Sequence, residues 1–253
     1  MSTSSHPKEP PTSVRQFVED YRRLRLAEGY ASPDPEFVRR LPFHDVTGRN
    51  TAVWRVRALH YGIIRACLAF LPRTEEVLDL GAGNGWLSRR LANRHRVTAL
   101  DVDGGDTGLG ALDDRRVARL RAEIEALPLR PASFDVVISA AALHYAIDLP
   151  RALAEIARVL RPGGAFLLAD SPLYPDALSR HRAWQRTVEY YATAAVPSLA
   201  HRYRGITRGE LEGTALFQFV TVSPGVWPWR AALDRLRGRP SGARFPVLLG
   251  LRR

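Results

Sequence analysis

The stretch Val77-Leu78-Asp79-Leu80-Gly81-Ala82-Gly83-Asn84-Gly85-Trp86 sets glycine at alternate positions between an apolar run and a helix-like run. Glycine lets a backbone pass close to a ligand, and a helix starting just beyond it directs N–H groups at that ligand. A dinucleotide fingerprint would need Gly or Ala where bulky Trp86 stands, and the phosphate loop G-x-x-x-x-G-K-[ST] is absent, so both nucleotide-phosphate readings are disfavoured. Twenty residues past Gly81, the run Val97-Thr98-Ala99-Leu100 ends in Asp101. A carboxylate at a strand end can accept hydrogen bonds from both hydroxyls of a ribose, or it can cap a loop. Both readings stand at this point. His144, with Tyr145 beside it, follows the run Phe134 to Ser139 by five residues and is the best single candidate for a general base. An unperturbed imidazole suits proton removal near neutrality, although a His before Asp148 could instead orient the helix that follows. His181 and His201 are its rivals.

These residues need a frame that carries them to one place. Val77 to Leu80, Val97 to Asp101, Val117 to Glu123, Phe134 to Ser139 and Ala165 to Asp170 read as strands, with helices over Trp86 to Asn93 and Asp148 to Leu160. Strands alternating with helices predict βαβ units and a mainly parallel sheet. Ala215 to Val222 and Phe245 to Leu251 have no crossover helix between them and read as an antiparallel pair. The fold class expected is α/β, a mainly parallel seven-stranded doubly wound sheet with a C-terminal antiparallel strand pair and helical additions. Residues 1–13 read as a disordered lead-in, residues 14–72 as an N-terminal helical cap, and residues 73–253 as the main domain. Within the cap, Val56, Leu59, Ile63, Cys67 and Phe70 predict the buried stripe of a helix over Arg55 to Leu71. A further helix over Asp176 to Ala195 puts Trp184, Val188, Tyr191 and Ala195 on one side and Arg180, Arg182 and Arg186 off it, as a solvated face.

The chain has 253 residues and a formal net charge of +11, of which +8 falls in residues 171–253. Lys8 is the only lysine among the 37 basic residues, a bias better matched to GC-rich coding than to phosphate binding. One cysteine, Cys67, excludes an intramolecular disulfide and a thiolate zinc cage, so no metal site is expected. The longest apolar stretch, Val136 to Ile147, is about half the ~20 residues of a membrane span. No secretory pattern opens the chain, and the expectation is a cytoplasmic protein without a membrane span.

Three further segments, Ala122-Glu123-Ile124-Glu125-Ala126-Leu127-Pro128, Ser133-Phe134-Asp135-Val136-Val137 and Arg158-Val159-Leu160-Arg161-Pro162-Gly163-Gly164, follow the glycine loop in a telling order. Together with it they resemble the class I (Rossmann-like) S-adenosylmethionine-dependent methyltransferases, in the small-molecule group that includes ubiquinone- and sterol-type enzymes. The resemblance covers about Glu75 to Asp170 and the final strand pair. It implies S-adenosylmethionine as cofactor. Carried over by position, Asp79, Gly81, Ala82, Gly83 and Gly85 would shape the loop under the methionine part. Asp101 would hold the ribose hydroxyls, with Val102 against the adenine. Glu123 would face the adenine amino group, where the family more often has Asp, with the Ile124 backbone nearby. Ser139 and Ala140 would line the site near the methyl group, and a substrate lid is expected in residues 14–72 and 171–211.

In such chemistry the cofactor supplies the reactivity and the protein aligns the acceptor, so no triad or metal is required. The Asn/Asp-Pro-Pro-Tyr motif of amine methylation in nucleic acids is replaced by Ser139-Ala140-Ala141-Ala142-Leu143, and Cys67 lies upstream of the glycine loop. The expectation is therefore a small-molecule acceptor, with nucleic acid disfavoured. The alternatives are an RNA methyltransferase using the basic last third, or an accessory protein that binds the cofactor without turnover. Trp54, Arg57 and Tyr61 are 3 and 4 apart, so they share a helix face and are expected to help close the cofactor site, unless they merely pack the helix on the sheet.

Overall fold

The computed structural model describes residues 13–225 and 242–253; the first 12 residues of the expected lead-in lie outside the described residues. Three helices, α1 (Val14–Glu28), α2 (Pro35–Arg40) and α3 (Thr51–Phe70), precede the sheet. Then come β1 (Glu76–Leu80), α4 (Trp86–Leu91), β2 (Arg96–Asp101), β3 (Val117–Arg121), β4 (Phe134–Ala140), α5 (Leu149–Val159) and β5 (Leu160–Ala169). The chain continues through β6 (Leu173–Tyr174), α6 (Ala177–Thr193), β7 (Ile206–Thr207), α7 (Arg208–Glu212), β8 (Phe217–Ser223) and β9 (Val247–Arg252). No helix among the described residues is long and apolar enough to cross a membrane.

Seven strands form one sheet in the order β3-β2-β1-β4-β5-β9-β8. The first five are parallel, and β9 pairs antiparallel with both β5 and β8, so the C-terminal antiparallel pair is as the sequence predicts. Strand order reverses between β1 and β4, which opens a crevice at the C-terminal strand ends where doubly wound sheets bind ligands. Successive side chains of a strand point to opposite faces, and the sequence satisfies both. Val77, Val97, Ala99, Val136 and Ile138 pack with Ile64 and Leu87 on one face. Leu78, Leu80, Leu100, Val137 and Phe166 pack with Leu149, Leu153 and Ile156 of α5 on the other. Asp148 caps α5 by accepting from the Arg151 N–H at 3.0 Å.

A third cluster joins segments far apart in sequence. Phe17, Val18 and Leu24 of α1 pack on Tyr191 of α6 and on Val196, Leu199 and Ala200 beyond it. The N-terminal cap and the insertion after β5 therefore form one roof over the strand ends. The two-stranded pairing of β6 with β7 closes the base of that insertion.

Helix rotations are where patterning misled. In α3 the buried residues are Trp54, His60, Tyr61, Ile64, Cys67 and Leu68. Of the expected stripe Cys67 is buried, but Leu59 and Phe70 are 61% and 90% exposed. Aromatic packing sets this rotation: Trp54 and Tyr61 both meet the Trp86 ring edge-on, at 6.0 and 6.2 Å. In α6, Tyr191 is buried as expected, but Trp184 is exposed and Ala183 takes the inward place, and the helix ends at Thr193, leaving Ala195 exposed beyond it. Arg182 and Arg186 are exposed, whereas Arg180 is half-buried and paired with Glu210, so the expected solvated face holds two of its three arginines.

Candidate functional site

The glycine loop leaves β1 at the strand-order reversal and is pinned to β2. The N–H groups of Gly81 and Ala82 both donate to the Leu100 carbonyl, at 2.8 and 2.9 Å. The Gly83 N–H donates to Asp101 Oδ2 at 2.8 Å, and the Asp103 N–H to Asp101 Oδ1 at 2.9 Å. Each Asp101 oxygen keeps a lone pair for a ligand, and burial raises this carboxyl above its ordinary range. Gly81 has φ of 75° and Gly83 φ of 54°. A Cβ on Gly81 would lie 2.1 Å from that of Ala142, whereas one on Gly83 would meet no atom within 4 Å. The first glycine admits the neighbouring loop, and the second faces open space. Asp79 lies buried beneath, accepting from the Ser88 hydroxyl at 2.6 Å; burial pushes it up to about 7. It braces the turn into α4, whose preceding residue is Gly85.

Two spaces flank the loop, with Gly81, Gly83 and Asp101 in the walls of both. A cleft of about 450 Å³ is lined by Gly81, Ala82, Gly83, Asp101 and Ala140, and by Tyr21, Arg25, Trp54, Arg57 and His144. A narrower groove of about 90 Å³ runs past Val102, Glu123, Ile124, Phe17 and Tyr145. Both guanidinium nitrogens Nη1 and Nη2 of Arg202 sit 3.2 Å from Glu123 Oε2, and the same group lies 5.0 Å over the Phe17 ring. Thus the roof closes on the groove through an ion pair with a strand-end carboxylate.

Trp54 and Arg57 reach the cleft, and Arg57 lies 4.5 Å over the Trp54 ring. Tyr61 does not: it is core, between Phe43 and Trp86, because the α3 rotation turns it toward α4. Ser139 is buried in β4, its hydroxyl lacking a partner among the described residues. The Tyr145 hydroxyl accepts from Arg25 Nη2 at 2.8 Å. His144 Nδ1 lies 3.2 Å from the Ser171 hydroxyl, and its ring is 4.4 Å from that of Tyr145. Burial, with Arg25 and Arg57 adding to it, pushes His144 down to about 3. The ring is a neutral hydrogen-bonding group there, not a proton acceptor poised near neutrality.

That shift carries a testable sign. The unfolded chain protonates this histidine near pH 6.5, the folded chain only near 3. Between those values the unfolded state binds the extra proton, so the His144 contribution is complete above pH 6.5 and is lost as pH falls toward 3. Urea midpoints for the wild type and His144→Gln between pH 7.5 and 4.5 are expected to converge as pH falls. A constant gap would refute the assignment. Asp79 acts in the opposite sense but is common to both proteins.

The sequence reading missed Tyr21, Arg25, Tyr203 and Asp170 on the cleft wall. Asp170 had a signal, since it directly follows β5 much as Asp101 ends β2. Tyr21 and Arg25 sit four apart on α1, but nothing local marks that face as turned toward a site 60 residues on.

Residues 78–168 match the methyltransferase domain family. The chain is 40% identical over 96 residues to a malonyl-[acyl-carrier protein] O-methyltransferase of Serratia marcescens, covering 38% of each chain. It is 35% identical over 116 residues to a dimethylglycine N-methyltransferase of Parasynechococcus marenigrum, covering 43% of this chain and 41% of that one. The chain thus spans about two-fifths of the length of these relatives. In fold it is similar to the Burkholderia thailandensis 1,6-didemethyltoxoflavin-N1-methyltransferase (TM-score 0.57, 22% identity, 97% and 92% of the two chains). It is similar also to geranyl diphosphate C-methyltransferase of Streptomyces coelicolor A3(2) (TM-score 0.60, 13% identity, 79% and 77%).

Proposed function

Because the chain carries a class I S-adenosylmethionine-dependent methyltransferase domain, we propose that it transfers the cofactor's methyl group to a small-molecule acceptor bound in the 450 Å³ cleft. The residues at the strand ends fit the cofactor. Asp101 offers free lone pairs to two ribose hydroxyls, Val102 and Ile124 offer apolar walls to a purine, and Gly83 leaves the loop open on the ligand side. Arg57, which has no carboxylate partner among the described residues, suits the cofactor's carboxylate. When bound, the cofactor supplies an electrophilic methyl group on a sulfonium. The protein's part is to bind, orient and exclude water.

The observation that carries the small-molecule reading is the roof. Helix α1 and the segment after α6 pack together over the crevice, leaving a ligand-sized cleft with aromatic walls of the kind small-molecule sites use. It also weakens the RNA reading, because Arg180, Arg202 and Arg204 of the basic third are engaged with Glu210 and Glu123. The test is calorimetric binding of S-adenosylmethionine, followed by release of S-adenosylhomocysteine with a panel of hydroxyl, amine and carbon acceptors and with folded RNA. Turnover with a compact acceptor is expected. Turnover with RNA alone, or binding without turnover across the panel, would overturn the proposal.

A further inference from the structure

His60 and Asp170 lie on either side of the segment that matches the methyltransferase family, yet the fold brings them together. His60 Nδ1 is 2.7 Å from Asp170 Oδ1, with the two side chains 2% and 9% exposed. Among the described residues His60 is the only hydrogen-bond partner of that carboxylate, and Asp170 lines the cleft. His60 Nε2 is buried and has no partner among the described residues, so within them the imidazole is committed to Asp170. Asp170 is half-buried on the cleft wall, and its second oxygen has no hydrogen-bond partner among the described residues, so it is left to water or to a ligand that enters the cleft. Asp170 also has φ of 55°, the left-handed region that a non-glycine residue enters at a cost.

Position decides which ligand faces it. The ribose and purine groups proposed above lie toward β2 and β3, and the glycine loop follows β1. Asp170 directly follows β5, on the far side of β4, and Ser171 next to it contacts His144. Resting on the methyl-transfer reading, we infer that Asp170 is the acceptor-binding carboxylate and His60 its positioning residue. The acceptor then presents a neutral, proton-bearing group, a hydroxyl or an amine, rather than a carboxylate. A neutral O–H or N–H satisfies the free oxygen of Asp170, whereas an acceptor carboxylate would oppose it charge to charge.

The experiment uses the full chain saturated with S-adenosylhomocysteine and compares binding of phenol, aniline and benzoate. Phenol and aniline are expected to bind at least tenfold more tightly than benzoate. Asp170→Asn, a residue that tolerates the left-handed backbone, is expected to bring the three within threefold of one another. His60→Leu should do the same, and His60→Asn, which retains an N–H donor close to Nδ1, should restore the preference. A merely structural role for His60 would not show that rescue. Benzoate binding as tightly as phenol to the wild type, or an unchanged ratio in Asp170→Asn, would overturn the inference. S-adenosylhomocysteine affinity within threefold of wild type in all variants keeps this separate from the methyl-transfer reading, which would fail through absent cofactor binding in the wild type itself.

Discussion

Asp101→Ala is expected to weaken S-adenosylmethionine binding by roughly ten- to a hundredfold, the equivalent of losing ~1.5–3 kcal/mol of hydrogen bonding to a charged group. The structure pushes the expectation to the upper end of that range. Besides any ribose contact, the Asp101 carboxylate accepts the Gly83 N–H at 2.8 Å and the Asp103 N–H at 2.9 Å. Alanine therefore deprives the ligand of its acceptor and also releases the loop beneath it. Asp101→Asn separates the two effects, because its side-chain oxygen can keep one backbone bond while its NH₂ cannot accept. It should fall between alanine and wild type. Calorimetry with melting curves on both variants reads this out, and an affinity unchanged in a folded Asp101→Ala protein would remove Asp101 from the site.

Gly81→Ala should act through the architecture instead. The new Cβ would sit 2.1 Å from the Ala142 Cβ, on a residue with φ of +75°. Left-handed strain and overpacking together cost about 2–5 kcal/mol, a fall in melting midpoint of roughly 5–15 °C for a chain of this size. Because Ala142 lies on the loop that carries His144, relief of the clash would move the cleft wall, and cofactor affinity should fall as well. Gly163→Ala is the control: its φ is +73°, but a Cβ there meets nothing within 4 Å, so it should show strain alone. Equal losses in the two variants would mean that backbone conformation, and not the close approach of the two loops, is what Gly81 is needed for.

Much of this was legible in the chain as written. Strands such as Val77–Leu80 and Phe134–Ser139 are buried on both faces, so they read as continuous apolar runs between turn residues, and their alternation with helices sets a parallel sheet. The glycine loop and Asp101 are legible for the same reason: a tight turn at one strand end and a carboxylate at the next are local features, fixed by residue type and spacing. The antiparallel pairing of β8 with β9 was legible because the sequence from Ser223 to Gly242 is rich in Pro, Gly and Arg and offers no helical apolar periodicity for a crossover.

How each helix is rotated, and which distant segment covers it, followed instead from packing between remote parts of the chain. Apolar spacing in α3 is compatible with two stripes, and packing of Trp54 and Tyr61 on Trp86 selected the one that buries Tyr61 and exposes Leu59 and Phe70. The same rotation carries Arg57 to the cleft and His60 to Asp170. Local pattern also cannot express that α1 and the residues after α6 share one roof, or that the roof and its arginines strip water from His144 and hold it neutral. Desolvation and side-chain pairing arise from contacts between residues tens to more than a hundred positions apart, and periodicity within a segment carries no record of them.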